Sequence, residues 1–70
     1  MKKYIVVMEP TETGYSAYAP DLPGCVAAAD TLEETETLMR EAITEHIELL
    51  RERGEHVPKP ATRTTLVEVA

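Results

Sequence analysis

"CVAAADTLEE", residues 25–34, is the stretch on which the fold turns. Its first half is a run of small apolar residues suited to an extended strand, and its second half, "TLEE", sets a threonine three residues ahead of a glutamate. That spacing is a capping box: the Thr31 side chain accepts from the backbone N–H of Glu34 while the Glu34 carboxylate reaches back to the Thr31 N–H. A strand hands over to a helix at Asp30 and Thr31.

Working forward, the helix runs from Leu32 to about Arg53, where Gly54 supplies a left-handed cap and Pro58 and Pro60 forbid continuation. At about 100° per residue, Leu32, Met39, Ala42, Ile43, His46, Leu49 and Leu50 share the face that packs on a sheet. Glu34, Glu41, Glu45, Glu48 and Glu52 fall opposite. After the connection "GEHVPKPAT", the β-branched run "RTTLVEV" (63–69) reads as a strand.

Working backward, "KYIVVME" (3–9), "YSAYA" (15–19) and "CVAAA" (25–29) read as three strands joined by "PTETG" (10–14) and "PDLPG" (20–24). Connections this short make an antiparallel meander. The helix then acts as a crossover that returns the chain parallel to its first strand, and right-handed crossover places the last strand beside the first. The expected fold is α+β, β-β-β-α-β: a four-stranded mixed sheet in the order 3-2-1-4 with one helix on one face. Residues 1–70 are expected to form a single domain.

A chain of this size buries only about 60% of its unfolded surface, so support from a partner subunit is expected. With one cysteine there is no internal disulfide and no multi-cysteine zinc pattern, which fits a reducing, cytoplasmic setting. Two lysines precede an apolar run at the N-terminus, but only five apolar residues follow before Glu9, too few for export or for spanning a membrane. Thirteen acidic against seven basic side chains give a net charge of −6, which repels nucleic-acid backbones and attracts basic partners.

Several residues invite a chemical reading. Cys25 as a nucleophile needs a base, and His46 and His56 stand at no interpretable spacing from it, so a small buried residue opening a strand is the better reading. In the corner formed by Pro20, Asp21, Leu22, Pro23 and Gly24, the prolines fix φ, Asp21 bonds its own backbone and Gly24 accepts positive φ. His46 lacks a second ligand at i+4 and reads as a packing residue. Tyr4, Tyr15 and Tyr18 have no interleaved cations to suit them to RNA. Glu9, Asp21 and Asp30 make no acid/base set without a pocket. No catalytic residue, metal or cofactor is assigned.

Two features ask for a partner. In "YIVVM" both alternation classes are apolar, Tyr4/Val6/Met8 and Ile5/Val7, whereas one helix covers one face of a sheet. Tyr4, Val6, Met8 and the small Ala27 are the expected contacts of a homo-oligomer. The acidic stripe is the second feature. Glu41 with Glu45 and Glu48 with Glu52 are like-charge i,i+4 pairs, each costing a few tenths of a kcal/mol. It is either a solvated face or a docking surface for a basic partner.

Taken together, "PDLPGC", "DTLEE" and the closing "G…VPKP" resemble the HicB family of antitoxins across about residues 4–60. Ala29 replaces the glycine that usually precedes the Asp-Thr pair, and Thr35 replaces the alanine that follows Glu34. The resemblance implies a partial ribonuclease-H-like fold. It also implies binding to a small basic mRNA-cleaving toxin of the HicA family. The DNA-binding domain that follows in many members is not represented in these residues, so no DNA or RNA binding is carried over. The alternative is a self-associating HicB-like module with a regulatory or ligand-binding role and no toxin; a small hydrolase using Asp21, Asp30 or Cys25 is a third reading.

Overall fold

The computed structural model describes residues 2–70. Three strands, β1 (Val7–Pro10), β2 (Tyr15–Tyr18) and β3 (Val26–Ala29), precede one helix, α1 (Leu32–Glu52). The strands form an antiparallel meander in the order β1-β2-β3, with Met8 opposite Ala17 and Ala17 opposite Ala27. Pro10 closes β1, where an edge strand tolerates the missing N–H.

The β1–β2 turn is held by the Thr11 N–H bonded to the Gly14 carbonyl at 2.8 Å and by the Gly14 N–H bonded to the Thr11 hydroxyl at 3.1 Å. Gly14 also lies against the far end of β3. A Cβ there would collide with the Ala29 carbonyl oxygen and come 2.7 Å from Asp30 Cα.

Helix α1 lies chiefly over β3 and β2. Ala17, Ala19, Leu22, Cys25 and Met39 form the buried core, with Tyr4, Val6, Met8, Ala27, Ala42 and Ile43 packed around it. Leu22 and Met39, at 0% and 1% exposure, are its centre. Thr35 is equally buried, and its hydroxyl donates to the Thr31 carbonyl at 2.8 Å, so no polar group is stranded.

Both helix ends follow the sequence reading closely. Thr31 caps α1 by accepting from the Glu34 N–H at 3.1 Å, though its hydroxyl also donates to the Glu34 carboxylate, which bonds there and not at the Thr31 N–H. At the other end the Gly54 N–H bonds Arg51 O at 3.1 Å and the Glu55 N–H bonds Leu50 O at 2.9 Å, with Gly54 at φ +68°. This is the Schellman arrangement. The apolar face is narrower than its periodicity suggests, since Leu32 and Leu49 remain exposed while Ile47 is half-buried.

The four-stranded mixed sheet in the order 3-2-1-4 is not formed. Residues 63–69 carry no strand, and the sheet is three-stranded and wholly antiparallel. The cause is the route of the connection. The Tyr4 hydroxyl donates to Pro58 O at 2.6 Å, and Asp21 then accepts from Thr62. These ties carry the chain from Tyr4, ahead of β1, to the β2–β3 corner before residue 63 is reached, and Leu66, Val67 and Val69 meet no neighbouring strand among the described residues. The first strand is also shorter than residues 3–9. β2 pairs Tyr18 with Val7 and then enters the proline corner, which leaves Lys3–Val6 outside the sheet formed by the described residues.

Candidate functional site

The corner at Pro20–Cys25 is two consecutive turns. The Leu22 N–H bonds Ala19 O at 3.0 Å with Pro20 second in the turn, and the Cys25 N–H bonds Leu22 O at 3.1 Å with Pro23 second and Gly24 third. Gly24 at φ +85° behind a proline makes the second turn type II. The Ala19 N–H closes the loop onto Cys25 O at 3.1 Å, and Leu22 drops into the core. The corner is a rigid plug.

Asp21 bonds across the molecule and not within its own turn. Its carboxylate accepts the Thr62 N–H at 3.1 and 3.2 Å and the Thr62 hydroxyl at 2.9 Å. The Thr62 backbone bond, opposed by desolvation and helped by the Thr62 hydroxyl, holds its carboxyl below the ordinary 3.8. Its oxygens are engaged in holding Thr62, which disfavours a role as a general base. Thr62 carries no mark in the sequence and Pro58 reads there only as a helix terminator, because nothing local marks a partner that lies 41 or 54 residues away.

Cys25 is buried, and desolvation pushes its thiol above the ordinary 9.0. His46 lines the same shallow depression as Cys25. Among the described residues no hydrogen bond joins the two, and no group of three or more His, Cys, Asp or Glu side chains gathers as a metal site. A thiol without a base or a nearby cation is a poor nucleophile. Asp30 and Glu9 are exposed, Glu9 on β1 and Asp30 just past the end of β3, the other outer strand.

Two surfaces remain. Glu41, Glu45, Glu48 and Glu52 are all exposed along α1. The neighbouring Arg40 bonds Glu36 at 3.4 Å and does not enter that row. The second surface is a groove between the extended Lys2–Met8 segment and α1, with Tyr4, Val6, Met8, Met39 and Ile43 on its walls. Tyr4, Val6 and Met8 therefore face the helix side, where they are half-buried, while Ala27 lies on β3 within the packed layer. The outer sheet face carries Val7, Tyr18 and Val26 in one paired row, the latter two exposed. No helix is long and apolar enough to cross a membrane among the described residues.

Residues 4–69 match the family model described as HicB_like antitoxin of bacterial toxin-antitoxin system. Among curated proteins, the chain is 43% identical over 56 residues to an uncharacterized protein of the rep-hol intergenic region of Haemophilus phage HP1, covering 80% of this chain and 42% of that protein. It is 36% identical to the UPF0150 protein Ta0767 of Thermoplasma acidophilum, covering 81% of this chain and 84% of that one. It is 30% identical to Antitoxin HicB 2 of Photorhabdus laumondii, covering 87% of this chain and 44% of the relative. The chain thus spans less than half the length of two of these relatives. Among solved structures, a chain of a HicA3 and HicB3 toxin-antitoxin complex superposes with a TM-score of 0.72 at 32% identity, over 86% of this chain and 70% of that one. Family model, relatives and fold agree, and the chain belongs to the HicB-like antitoxin family.

Proposed function

We propose that this protein is the antitoxin-like partner of a toxin–antitoxin pair, binding a small basic HicA-like RNA-cleaving toxin and sequestering it. The observation that carries the reading is the likeness, at 32% identity, to a chain of a toxin–antitoxin complex. The surplus of acidic side chains and the exposed glutamates of α1 suit a basic partner. Inhibition is by occupation and not by catalysis: the carboxylate of Asp21 is engaged in a tether and the Cys25 thiol is buried. No cofactor or metal takes part. The protein works in the cytoplasm, without contact to DNA, RNA or membrane of its own, and it self-associates.

The test is co-expression with a small basic, histidine-containing RNA-cleaving protein encoded beside it. The reading expects a complex that survives size exclusion and abolishes RNA cleavage. A toxin that keeps cleaving in the presence of excess folded protein overturns it. Nuclease activity of the purified chain alone, lost on Asp21→Asn or Cys25→Ser, would move the function to an enzyme.

A further inference from the structure

Where α1 passes the proline corner, the two enclose a shallow notch of about 250 Å³, walled by Gly24, Cys25, Ala42, Glu45, His46 and Leu49 at the start of β3. Small residues leave it open. Ala42 on the helix side and Gly24 on the corner side do not fill the space between them, and a Cβ on Gly24 would meet nothing within 4 Å. Cys25, 4% exposed, forms the floor, and Leu49 stays 44% exposed at the rim. Ala42, Glu45 and Leu49 stand at i, i+3 and i+7, along one strip of the helix.

We propose that this notch is the docking point of a basic protein partner and takes the side chain of one arginine, its aliphatic stem against Ala42 and Leu49 and its guanidinium on the Glu45 carboxylate. Size argues for a single side chain. Small-molecule sites begin at about 300 Å³, and this one is smaller and open. An apolar wall with one carboxylate at its exposed edge matches a residue that buries its stem and keeps its charged head in water.

Charge selects the sign of the occupant. No lysine or arginine lines the notch, and the exposed Glu41 and Glu52 extend the negative strip one and two turns from Glu45. The groove on the other flank of α1 differs: it mixes Lys2, Arg40 and Arg51 with Glu36 and Glu48 and selects neither sign. A second copy of this chain carries the same surplus of acid, net −6, so the cation comes from a different protein. A guanidinium suits the site better than an ammonium, because it is more weakly hydrated and grips a carboxylate through two parallel N–H bonds.

This deepens the proposed function and rests on it for the partner, and the experiment separates the two. With the basic RNA-cleaving protein encoded beside this chain as partner, Leu49→Ala and Glu45→Gln are each expected to weaken binding about tenfold or more. Gly24→Asn, a residue that tolerates positive φ, is expected to crowd the mouth and do the same. Helical circular dichroism should be unchanged in all three, since each position is exposed. Glu12→Gln, the same charge change in the exposed β1–β2 turn, is expected to alter binding by less than about twofold. A second arm needs no partner. N-acetyl-arginine methylamide is expected to shift the amides of Cys25, Glu45 and Leu49 in the folded chain, and its neutral isostere N-acetyl-citrulline methylamide is not. A complex indifferent to Leu49→Ala and Gly24→Asn overturns the notch and leaves the acidic row as a diffuse surface. Where no complex forms, the proposed function falls and the arginine titration alone decides the notch. Arginine shifts that are absent, or matched by citrulline, overturn it.

Discussion

The carboxylate of Asp21 holds both the backbone N–H and the hydroxyl of Thr62, at 3.1 and 2.9 Å, and so pins the C-terminal connection to the β2–β3 corner. Because these bonds favour the ionised form, the pKa of Asp21 is lower in the folded protein than the ordinary 3.8. The stabilisation it gives is complete above that ordinary value and is lost as the pH falls through the lower folded value. Asp21→Ala is expected to speed exchange of the Thr62 amide and to lower the thermal midpoint at pH 7, with Asp21→Asn in between because its amide oxygen still accepts. At a pH below the folded value the wild type and Asp21→Asn are expected to converge. A gap between them that is unchanged from pH 7 down to that point would remove the carboxylate from the account.

Gly14 and Gly24 are required for different reasons, and alanine scanning separates them. At Gly24, φ is +85° with open space around it, so Gly24→Ala carries a conformational cost alone, about 1–2 kcal/mol. Gly14→Ala drives a Cβ into the Ala29 carbonyl and toward Asp30, backbone that cannot swing away. The expected order of thermal midpoints is wild type, then Gly24→Ala, then Gly14→Ala. In a chain of this size each kcal/mol is worth roughly 4–8 °C. Equal midpoints for the two variants would contradict the close approach.

What the sequence made legible was local, and what it hid was long-range. The Thr31 cap, the Gly54 end, the β1–β2 turn and the proline corner each rest on neighbours within a few residues. "RTTLVEV" has the β-branched residues of a strand, yet a strand needs an edge to pair with, and the Tyr4–Pro58 and Asp21–Thr62 ties that route it elsewhere span 54 and 41 residues. The same limit applied to the candidate surface. Alternation separated Tyr4, Val6 and Met8 from Ile5 and Val7, but nothing in the spacing decided which set met the helix.

Cys25 should behave as a packed residue and not as a reagent. Its thiol is buried and desolvation raises its pKa above 9.0. Alkylation of the native protein is expected to be slow at neutral pH and to accelerate on addition of denaturant. Since the folded state favours the neutral thiol, its contribution to stability is present below the unfolded pKa and lost as pH rises through the folded one. Rapid stoichiometric labelling of folded protein at pH 7 would show an activated thiolate.

Met39 and Thr35 share the buried side of α1 but should tolerate change very differently. Met39→Ala leaves a cavity at the centre of the core, at a cost of about 2–5 kcal/mol, enough to unfold much of so small a domain at 37 °C. Thr35→Val keeps the shape and removes a hydroxyl bonded to the Thr31 carbonyl, which still receives the Thr35 N–H at 3.0 Å. No acceptor is left bare, so the expected change is within about 1 kcal/mol. Urea denaturation of both variants measures it, and a large loss for Thr35→Val would mean that the hydroxyl does more than satisfy itself.

The acidic row of α1 is the candidate docking surface for a basic partner, and charge reversal tests it. If Glu41, Glu45, Glu48 and Glu52 meet a cationic surface, Glu45→Lys/Glu48→Lys should slow association several-fold at low salt, because complementary charge acts mainly on the encounter rate. At 0.1 M salt the screening length is about 10 Å, so the difference should shrink as ionic strength rises. The like-charge i,i+4 pairs are relieved by the same change, and helix stability should rise by a few tenths of a kcal/mol. A loss of binding therefore cannot be blamed on unfolding. The measurement is association rate against ionic strength, using a catalytically inactive toxin and both forms of this protein. Identical salt slopes would make the row a solvated face and move docking to the outer sheet face, where Tyr18 and Val26 stand exposed side by side.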